Sequence, residues 1–538
     1  MPLKSVKTST IGKRKSAGYH VAASVFREVI SVAKPVPTQF GNFLLPANVA
    51  RELAEERINS ALAGGYEGAS RRKNSMRAWR ARQLDADTAL GYDLPTLQDR
   101  SSDLIRNNPI AAGAISTKVT SVIGYGLWHK CSINREYLNI SEDQAEAWES
   151  RVEFEFQALC KDIGYDGETL AELTGTAYRS HLEKGDVLGL LTNRERKNLP
   201  YQLAVQLIES DRLCNKDHKQ NTETLRNGVV KDANGRTIQY QVLKSHPGSS
   251  RGASAQWIEY DAFDENGNPH VLHLFKRLRP GQSRGVPDLA PVIETLKQLS
   301  NYTEAELQAA VLAGLFTVFI KTEGDDAVAQ TANDVDLKMG TGSILSLDVN
   351  ESIETASPGR PNAGFENFWV AVVREIGIAI ELPYEILIKH FSSSYSASRA
   401  AILEAWRYFT KERKWMVSRF CQPIFESFVD EGVALGRFAA PGYFTDPFIR
   451  QAYLQSRWHG PPRGHIDELK ESKAAEIYER MGVKPLDEIT MEVTGGDWER
   501  NHTQQVRERR LRIKDGLHQE AGSDAGFLLP GEDDENSN

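Results

Sequence analysis

Apolar and polar positions along this chain alternate with two different periods, and the change of period marks its organisation. Over 142–163 the residues Ala145, Trp148, Val152, Phe156 and Leu159 recur at three- and four-residue spacing. That spacing predicts an amphipathic helix, and a second is expected over 168–183. After Gly185-Asp186 the period shortens to β-branched and aliphatic runs at 187–192, 202–208, 237–243, 256–263 and 271–276. Turn residues such as Asp232-Ala233-Asn234-Gly235 and Asn266-Gly267-Asn268-Pro269 separate them, which predicts strands and a mixed α+β region. Ahead of it, Asn107-Asn108-Pro109 reads as a turn that starts a helix, and Ala112-Gly113-Ala114 permits close packing there.

Helical periodicity returns after Leu278-Arg279-Pro280-Gly281-Gln282 and Arg284-Gly285-Val286-Pro287. Asp288 is the expected N-cap and Pro291 sits in the first turn. Val292, Ile293, Leu296, Leu299, Leu307 and Val311 form the stripe of a helix ending near Gly314. At 1.5 Å per residue it is roughly 35–40 Å long. Residues 316–361 carry two strand-like runs, 316–321 and 342–347. A second apolar helix follows, with Phe365, Phe368, Val372, Ile376 and Ile380 on one face. Leu382-Pro383 ends it, because proline disfavours helical geometry in the residue before it. A polar loop with five serines then runs to Arg399, beside Lys389 and His390. The next helix shows the stripe Ile402, Trp406, Phe409, Met416 and Phe420, with Pro423 expected to kink or break it.

The flanks are plainer. A basic arm, with Lys4, Lys7, Lys13, Arg14 and Lys15 before the first acid at Glu28, is expected to be disordered. A helical pattern follows at 47–62. Toward the other end, 441–447 and 460–462 read as irregular, 465–480 as a helix, and Trp498 opens a charged helix to about Leu517. Glu532-Asp533-Asp534-Glu535 lies in an expected disordered acidic tail.

Composition narrows the class. The chain has 538 residues, 40% hydrophobic and 26% charged, the proportions of a soluble globular protein of one large or two to four smaller domains. Cys131, Cys160, Cys214 and Cys421 are scattered, which indicates neither a zinc site nor a disulfide framework and suits synthesis in a reducing cytoplasm. The longest apolar run, 309–320, is too short to cross a bilayer, and the basic start lacks the apolar core of a secretory signal. A net charge of −8 argues against a tight, sequence-independent DNA binder, though not against contact with DNA that must slide. The stretch 71–82 holds six basic residues and no acid. It suits contact with nucleic acid or an acidic partner, and suits a solvated or subunit-facing segment better in so acidic a chain.

No catalytic, cofactor or metal site is predicted. The sequence has no G-x-x-x-x-G-K-[ST] phosphate loop and no G-x-S-x-G. Gly340-Thr341-Gly342 lacks the third glycine of a dinucleotide fingerprint, and Ser31-Val32-Ala33-Lys34 stands without partner motifs. His270 and His273, three apart on a strand, point to opposite faces. Asp211, Asp261 and Asp264 show no spacing that a particular chemistry demands.

Four stretches nevertheless resemble one family in the right order: Arg106-Asn107-Asn108-Pro109, then 278–287 with its helix, then Leu382-Pro383-Tyr384-Glu385 with Tyr395-Ser396-Ala397-Ser398-Arg399-Ala400-Ala401, and more weakly 464–500. They resemble lambda-type phage portal proteins. The resemblance implies an α+β portal fold: an N-terminal arm and first helix (1–60), a mixed wing (61–286), a first stem helix (287–315), a small β-containing clip (316–361), and a second stem helix (362–382). It further implies a tunnel loop (383–399), a wing return and helical crown (400–520), and an acidic tail (521–538). It implies a dodecameric ring in the virion, at one capsid vertex, through which a terminase motor drives DNA and from which DNA later exits. Implied partners are the terminase large subunit, the major capsid protein and scaffold, a head-tail connector protein and sequence-independent double-stranded DNA, with no membrane and no cofactor. Channel residues would be Lys389, His390, Ser392, Ser393, Ser394, Tyr395 and Arg399. Clip residues facing the motor or connector would be Lys321, Glu323, Asp325, Asp326 and Lys338. A phage-associated hydrolase would need a metal or nucleophile constellation that the sequence does not offer. A generic basic-armed DNA-binding protein rests only on 71–82 and the first fifteen residues.

Overall fold

The computed structural model describes residues 67–70, 74–249, 256–314, 318–322, 351–355, 364–391, 394–463 and 468–517. The arm, the helical pattern at 47–62, the Ser31 and Gly340 motifs, the strand-like run at 342–347 and the acidic tail all lie outside these residues. The chain divides into Met1–Gln83 and Leu84–Asn538. In the first unit a short 3₁₀ turn, Glu67–Ala69, precedes an irregular stretch in which Trp79 is exposed.

The second unit begins with three helices, α1 (Ala86–Gly91), α2 (Leu94–Asn107) and α3 (Pro109–Val122). Asn108 caps α3 as the sequence predicts, its Oδ1 accepting from the N–H groups of Ile110 and Ala111 at 2.9 Å each. The small side chains of Ala111 and Ala114 are buried, so α3 lies close against its neighbours. Next come β1 (Trp128–Cys131), a turn of helix α4 (Arg135–Leu138), α5 (Glu142–Cys160) and α6 (Leu170–Lys184). Both long helices start in capping boxes, Ser141 with Gln144 and Thr169 with Glu172. The apolar stripe of α5 packs inward through Val152, Phe156 and Leu159.

All five predicted strands form. β2 (Asp186–Asn193) is the centre of an antiparallel sheet between β3 (Leu203–Glu209) and β8 (Val271–Phe275). A second sheet has the order β4 (Leu225–Arg226), β5 (Val229–Lys231), β6 (Thr237–Leu243) and β7 (Trp257–Asp261), the β5–β6 turn carrying Gly235 at φ +84°. After β8 a 3₁₀ turn leads into α7 (Ile293–Gly314). Asp288 does not cap it; its carboxylate is drawn away to a lysine described below.

β9 (Val318–Thr322) pairs with β10 (Glu351–Thr355), a strand the hydrophobic pattern did not single out because it is mostly polar. α8 (Phe365–Ala379) ends as expected before Pro383, and α9 (Tyr384–Leu387) is a single turn inside what reads as loop. α10 (Tyr395–Met416) starts five residues earlier than the sequence suggests, taking Ser396, Ser398 and Arg399 into its first turns. A π-helical turn, Val417–Cys421, joins it to α11 (Gln422–Ala434). Pro423 therefore neither breaks nor ends the helix. In the π turn Gln422 N–H donates to Val417 O, one residue further back than in an α-helix, and Pro423 falls in the first turn of α11, where a missing N–H is tolerated.

The irregular stretch at 441–446 leads to α12 (Pro447–Tyr453) and β11 (Ser456–His459), which pairs with β1 in the register Trp128↔His459. The last helices are α13 (Glu468–Arg480), α14 (Leu486–Thr494) and α15 (Trp498–Lys514), which bury no residue. The main core is shared by α2, α3, α5, α6, the β2 sheet, the start of α7, α8, α10 and α11, and a smaller core lies between the two sheets. All four cysteines are free. Among the described residues no helix is long and apolar enough to cross a membrane.

Candidate functional site

Three elements meet where α7 leaves the sheet. Gly185, at φ +92°, turns the chain from α6 into β2, and a Cβ there would lie 2.6 Å from the Val286 carbonyl carbon. A Cβ on Gly285 would collide with Gly185 O, so two backbones cross in contact because neither residue has a side chain. The crossing drives Arg284 into the interior. Its Nε donates to Asp186 Oδ2 at 2.5 Å and its Nη2 to Oδ1 at 3.1 Å. The remaining donors reach Leu213 O (2.7 Å), Asn227 O (2.8 Å), Ser210 O (3.1 Å) and Ser210 Oγ (2.8 Å). Asp186 also accepts from Gly285 N–H at 3.1 Å and from His273 Nε2 at 3.3 Å. Burial alone would raise the Asp186 carboxyl, but the Arg284 guanidinium and the bond from His273 hold it well below the usual carboxylate range. Burial likewise lowers His273, against the pull of Asp186.

A second buried cluster lies beside it. Lys118 is 1% exposed, and its Nζ donates to Asp288 Oδ2 at 2.8 Å and to Tyr408 Oη at 2.9 Å. Glu412, also 1% exposed, pairs with Lys276 Nζ at 2.5 Å and accepts from Tyr178 Oη at 3.2 Å. These bonds tie α3, α6, β8, the start of the α7 segment and α10 to one another. Burial pushes the phenols of Tyr178 and Tyr408 well above their ordinary range.

From this base α7 and α8 run side by side, with Tyr302 packing its ring 5.5 Å from that of Phe365 and 5.2 Å from that of Phe368. The outer half of the predicted α7 stripe is not covered: Leu307 is 66% and Val311 59% exposed, as are Phe368 (53%) and Ile378 (81%) on α8. Leu382 N–H donates back to Gly377 O at 2.9 Å, with Glu381 between them at φ +57°, so α8 closes in a Schellman-type turn. The loop after α9 carries Lys389, at φ +55°, and His390, whose N–H donates to Glu385 O at 3.1 Å. Both are exposed, and among the described residues neither side chain makes an ion pair. Ser394 is exposed at the start of α10 without a side-chain capping bond.

The predicted site residues thus fall in different places. Lys389, His390 and Ser394 share the exposed loop, Ser392 and Ser393 lie outside the described residues, and Tyr395 is the first residue of α10. Arg399 sits on α10, 3.9 Å from Glu471 of α13, which also pairs with Arg463 at 3.1 Å. Lys321 lies on β9 opposite Ser352, while Glu323, Asp325, Asp326 and Lys338 lie outside the described residues. His270 and His273 do face apart: His270 Nδ1 approaches Asp261 O at 3.2 Å, and His273 is buried on Asp186. Among the described residues no three metal-ligand side chains converge. Sequence reading missed the Asp186–Arg284 and Lys118–Asp288 pairs. One signal was there: Lys118 is the single charge in the otherwise uncharged α3.

Buried charges here hold one element to another. Over residues 72–413 the chain matches the family model described as phage portal protein, lambda family. The chain belongs to that family, and is a phage portal protein of its structural kind. It is 24% identical to the portal protein of Escherichia phage N15 over 500 residues, covering 86% of this chain and 93% of the relative. It is also 24% identical to portal protein B of Escherichia phage lambda over 499 residues, with the same coverage of 86% and 93%. Among solved structures, a chain from the neck of a native GTA particle computed with C12 symmetry aligns at 14% identity and TM-score 0.42, over 74% of this chain and 92% of that one. A chain from the neck of an empty GTA particle computed with C6 symmetry gives 14% identity and TM-score 0.43, over 73% and 92%.

Proposed function

We propose that copies of this chain, twelve in number, form a ring at one vertex of a phage capsid, and that DNA enters and leaves the head through its axis. Family membership supplies the frame. The observation that carries the ring is that apolar side chains on both α7 and α8 are left uncovered: Leu307, Val311, Phe368 and Ile378. Apolar surface of this extent on a helical pair suits burial against the same surface region of a neighbouring copy.

In this reading 61–286 is the wing, 287–315 and 362–382 are the stem, 316–361 is the clip, and 383–399 is the loop facing the channel. The segment 400–520 returns to the wing and builds the crown. Repeated around an axis, Lys389 and His390 make a ring of ammonium and imidazole side chains that meets phosphates without reading bases. The clip, with Lys321, Glu323, Asp325, Asp326 and Lys338, is the contact for the terminase large subunit during packaging and for a head-tail connector protein afterwards. The wing faces the major capsid protein and scaffold. The protein acts mechanically, without turnover or cofactor, and resides in the virion after synthesis in the host cytoplasm.

Electron microscopy of the purified full chain tests this reading. Rings with an axial hole are expected, and a population that stays monomeric at assembly concentrations overturns it.

A further inference from the structure

A groove of about 400 Å³ runs between α10, the π turn, β11 and α14, lined by Trp406, Arg413, Lys414, Val417, Pro461 and Met491 among others. One wall exists because Gly460 has no side chain: a Cβ there would collide with Nε of Arg413. Arg413 lies against that backbone, donating from Nε to Val122 O at 3.1 Å and from Nη2 to Ser121 O and Pro461 O, each at 3.1 Å. It caps the last carbonyls of α3, and among the described residues it makes no ion pair. Burial, with no carboxylate alongside, pushes the guanidinium down to about 10. Lys414 beside it is exposed and also forms no ion pair among the described residues. The acid in the lining, Glu492, is engaged by Lys484 at 2.5 Å. Among the described residues the groove therefore presents two cations that no carboxylate pairs with, and apolar surface from Trp406, Val417 and Pro461.

Its complement is written in the same chain. Phe527-Leu528-Leu529-Pro530 is followed after one glycine by Glu532-Asp533-Asp534-Glu535. We propose that the groove holds segment 527–535 of its own chain, the apolar residues seated against Trp406, Val417 and Pro461 and the acidic run against Arg413 and Lys414. The reach is sufficient. Gly495, at the end of α14, lies beside Pro462 on the rim, its position such that a Cβ would be 3.3 Å from Pro462 Cδ. The 17 residues of α15 carry the chain away by about 25 Å at 1.5 Å per residue. From Leu517 to Phe527, fully extended residues span about 33 Å.

The test places a photo-crosslinker in the full chain by Phe527→p-benzoylphenylalanine, followed by irradiation, a denaturing gel and peptide mapping. Expected is a product at monomer mobility with crosslinks in the peptides carrying Trp406–Val417 or Met491. Lys414→Glu is expected to lower the yield roughly five-fold and Lys414→Arg to leave it unchanged, as charge pairing at a partly exposed site requires. Salt at roughly 0.5 M, where the screening length is about 4 Å, should lower it as well. Crosslinks at dimer mobility would assign the groove to a second copy and overturn the proposal. So would crosslinks mapping elsewhere, none at all, or a yield indifferent to Lys414→Glu in a protein that melts like the parent.

Discussion

Asp186 and Arg284, 98 residues apart in sequence, share a bidentate ion pair in which the carboxylate is 1% and the guanidinium 3% exposed. The pair fastens the strand that begins the β2 sheet to the segment that launches α7. Asp186→Asn leaves a buried guanidinium without its counter-charge, an error worth about 3–5 kcal/mol. The urea midpoint of the variant should fall accordingly. Adding Arg284→Met to Asp186→Asn should recover part of the loss, because no buried charge then lacks a partner. A double variant as weak as the sum of the two single ones would show that the pair does not act as a unit.

Acid should weaken the fold through two buried histidines, opposed in part by Glu153. Burial raises the Glu153 carboxyl to about 6, and it therefore adds stability as pH falls through that value. Burial holds His181 down to about 4, against the bond from its Nδ1 to Gly185 O at 2.8 Å. Burial, then the nearby His459, holds His129 down to about 3. Both imidazoles are neutral when folded and accept a proton near pH 6.5 when unfolded. Their contribution is complete above pH 6.5 and declines as pH falls toward 4, by about 1.4 kcal/mol per pH unit for each histidine. Unfolding free energy measured from pH 7.5 to 5 should show this slope, and His181→Asn should reduce it. An unchanged slope in His181→Asn would contradict the neutral, buried assignment of His181.

The turn that closes α8 depends on one missing methyl group. A Cβ on Gly377 would lie 2.6 Å from Leu382 O, so Gly377→Ala must push the two apart. We expect a cost of about 1–3 kcal/mol and faster tryptic cleavage after Lys389, since the loop loses its anchor. Glu381→Gly should do the reverse, because Glu381 occupies φ +57°, where glycine avoids a cost of about 1 kcal/mol. Cleavage rates equal to the parent in Gly377→Ala would mean the backbone gives way without strain.

Lys130 on β1 stands 3.4 Å from Asp497, 3.2 Å from Glu499 and 4.0 Å from Asp487. The helices α14 and α15 bury no residue, so ion pairs account for much of their attachment. Raising salt, or Lys130→Ala, should increase hydrogen exchange across 486–514 and leave β2 unaffected. Equal protection in both conditions would place the attachment in apolar contacts instead.

Lys389→Ala tests the proposed channel-facing role of the loop after α9. The side chain is exposed and forms no ion pair among the described residues, so ring yield should not change. Particles should begin packaging normally and then hold shortened or leaking genomes, read as the length of DNA retained. Full-length, stably held genomes would remove Lys389 from the site, and loss of rings would put the loop in the subunit interface.

Legibility in the sequence followed the distance over which each signal acts. The helices with sustained stripes, α5, α8 and α10, and the five runs of β-branched residues were plain, because their patterns are local. β1 and β11 were not: each has four residues, and their pairing joins distant parts of the chain. The start of α10 was misplaced because serine suits both a loop and the first turn of a helix, and only tertiary packing, which buries Ser398, decides between them. Asp288 looked like a cap because its sequence neighbours are right for one. The competing partner, Lys118, lies 170 residues away.

The π turn at 417–421 makes α10 and α11 two helices out of phase with each other. One extra residue per turn advances everything beyond it by about 100° around the axis. Phe425 and Phe428 therefore point at Phe156 because the helix slips once before reaching them. Deleting a single residue from this turn would leave every side chain of α11 present and the helix continuous. It would also rotate the aromatic face out of the core, much as a lost letter leaves a text intact and shifts its frame.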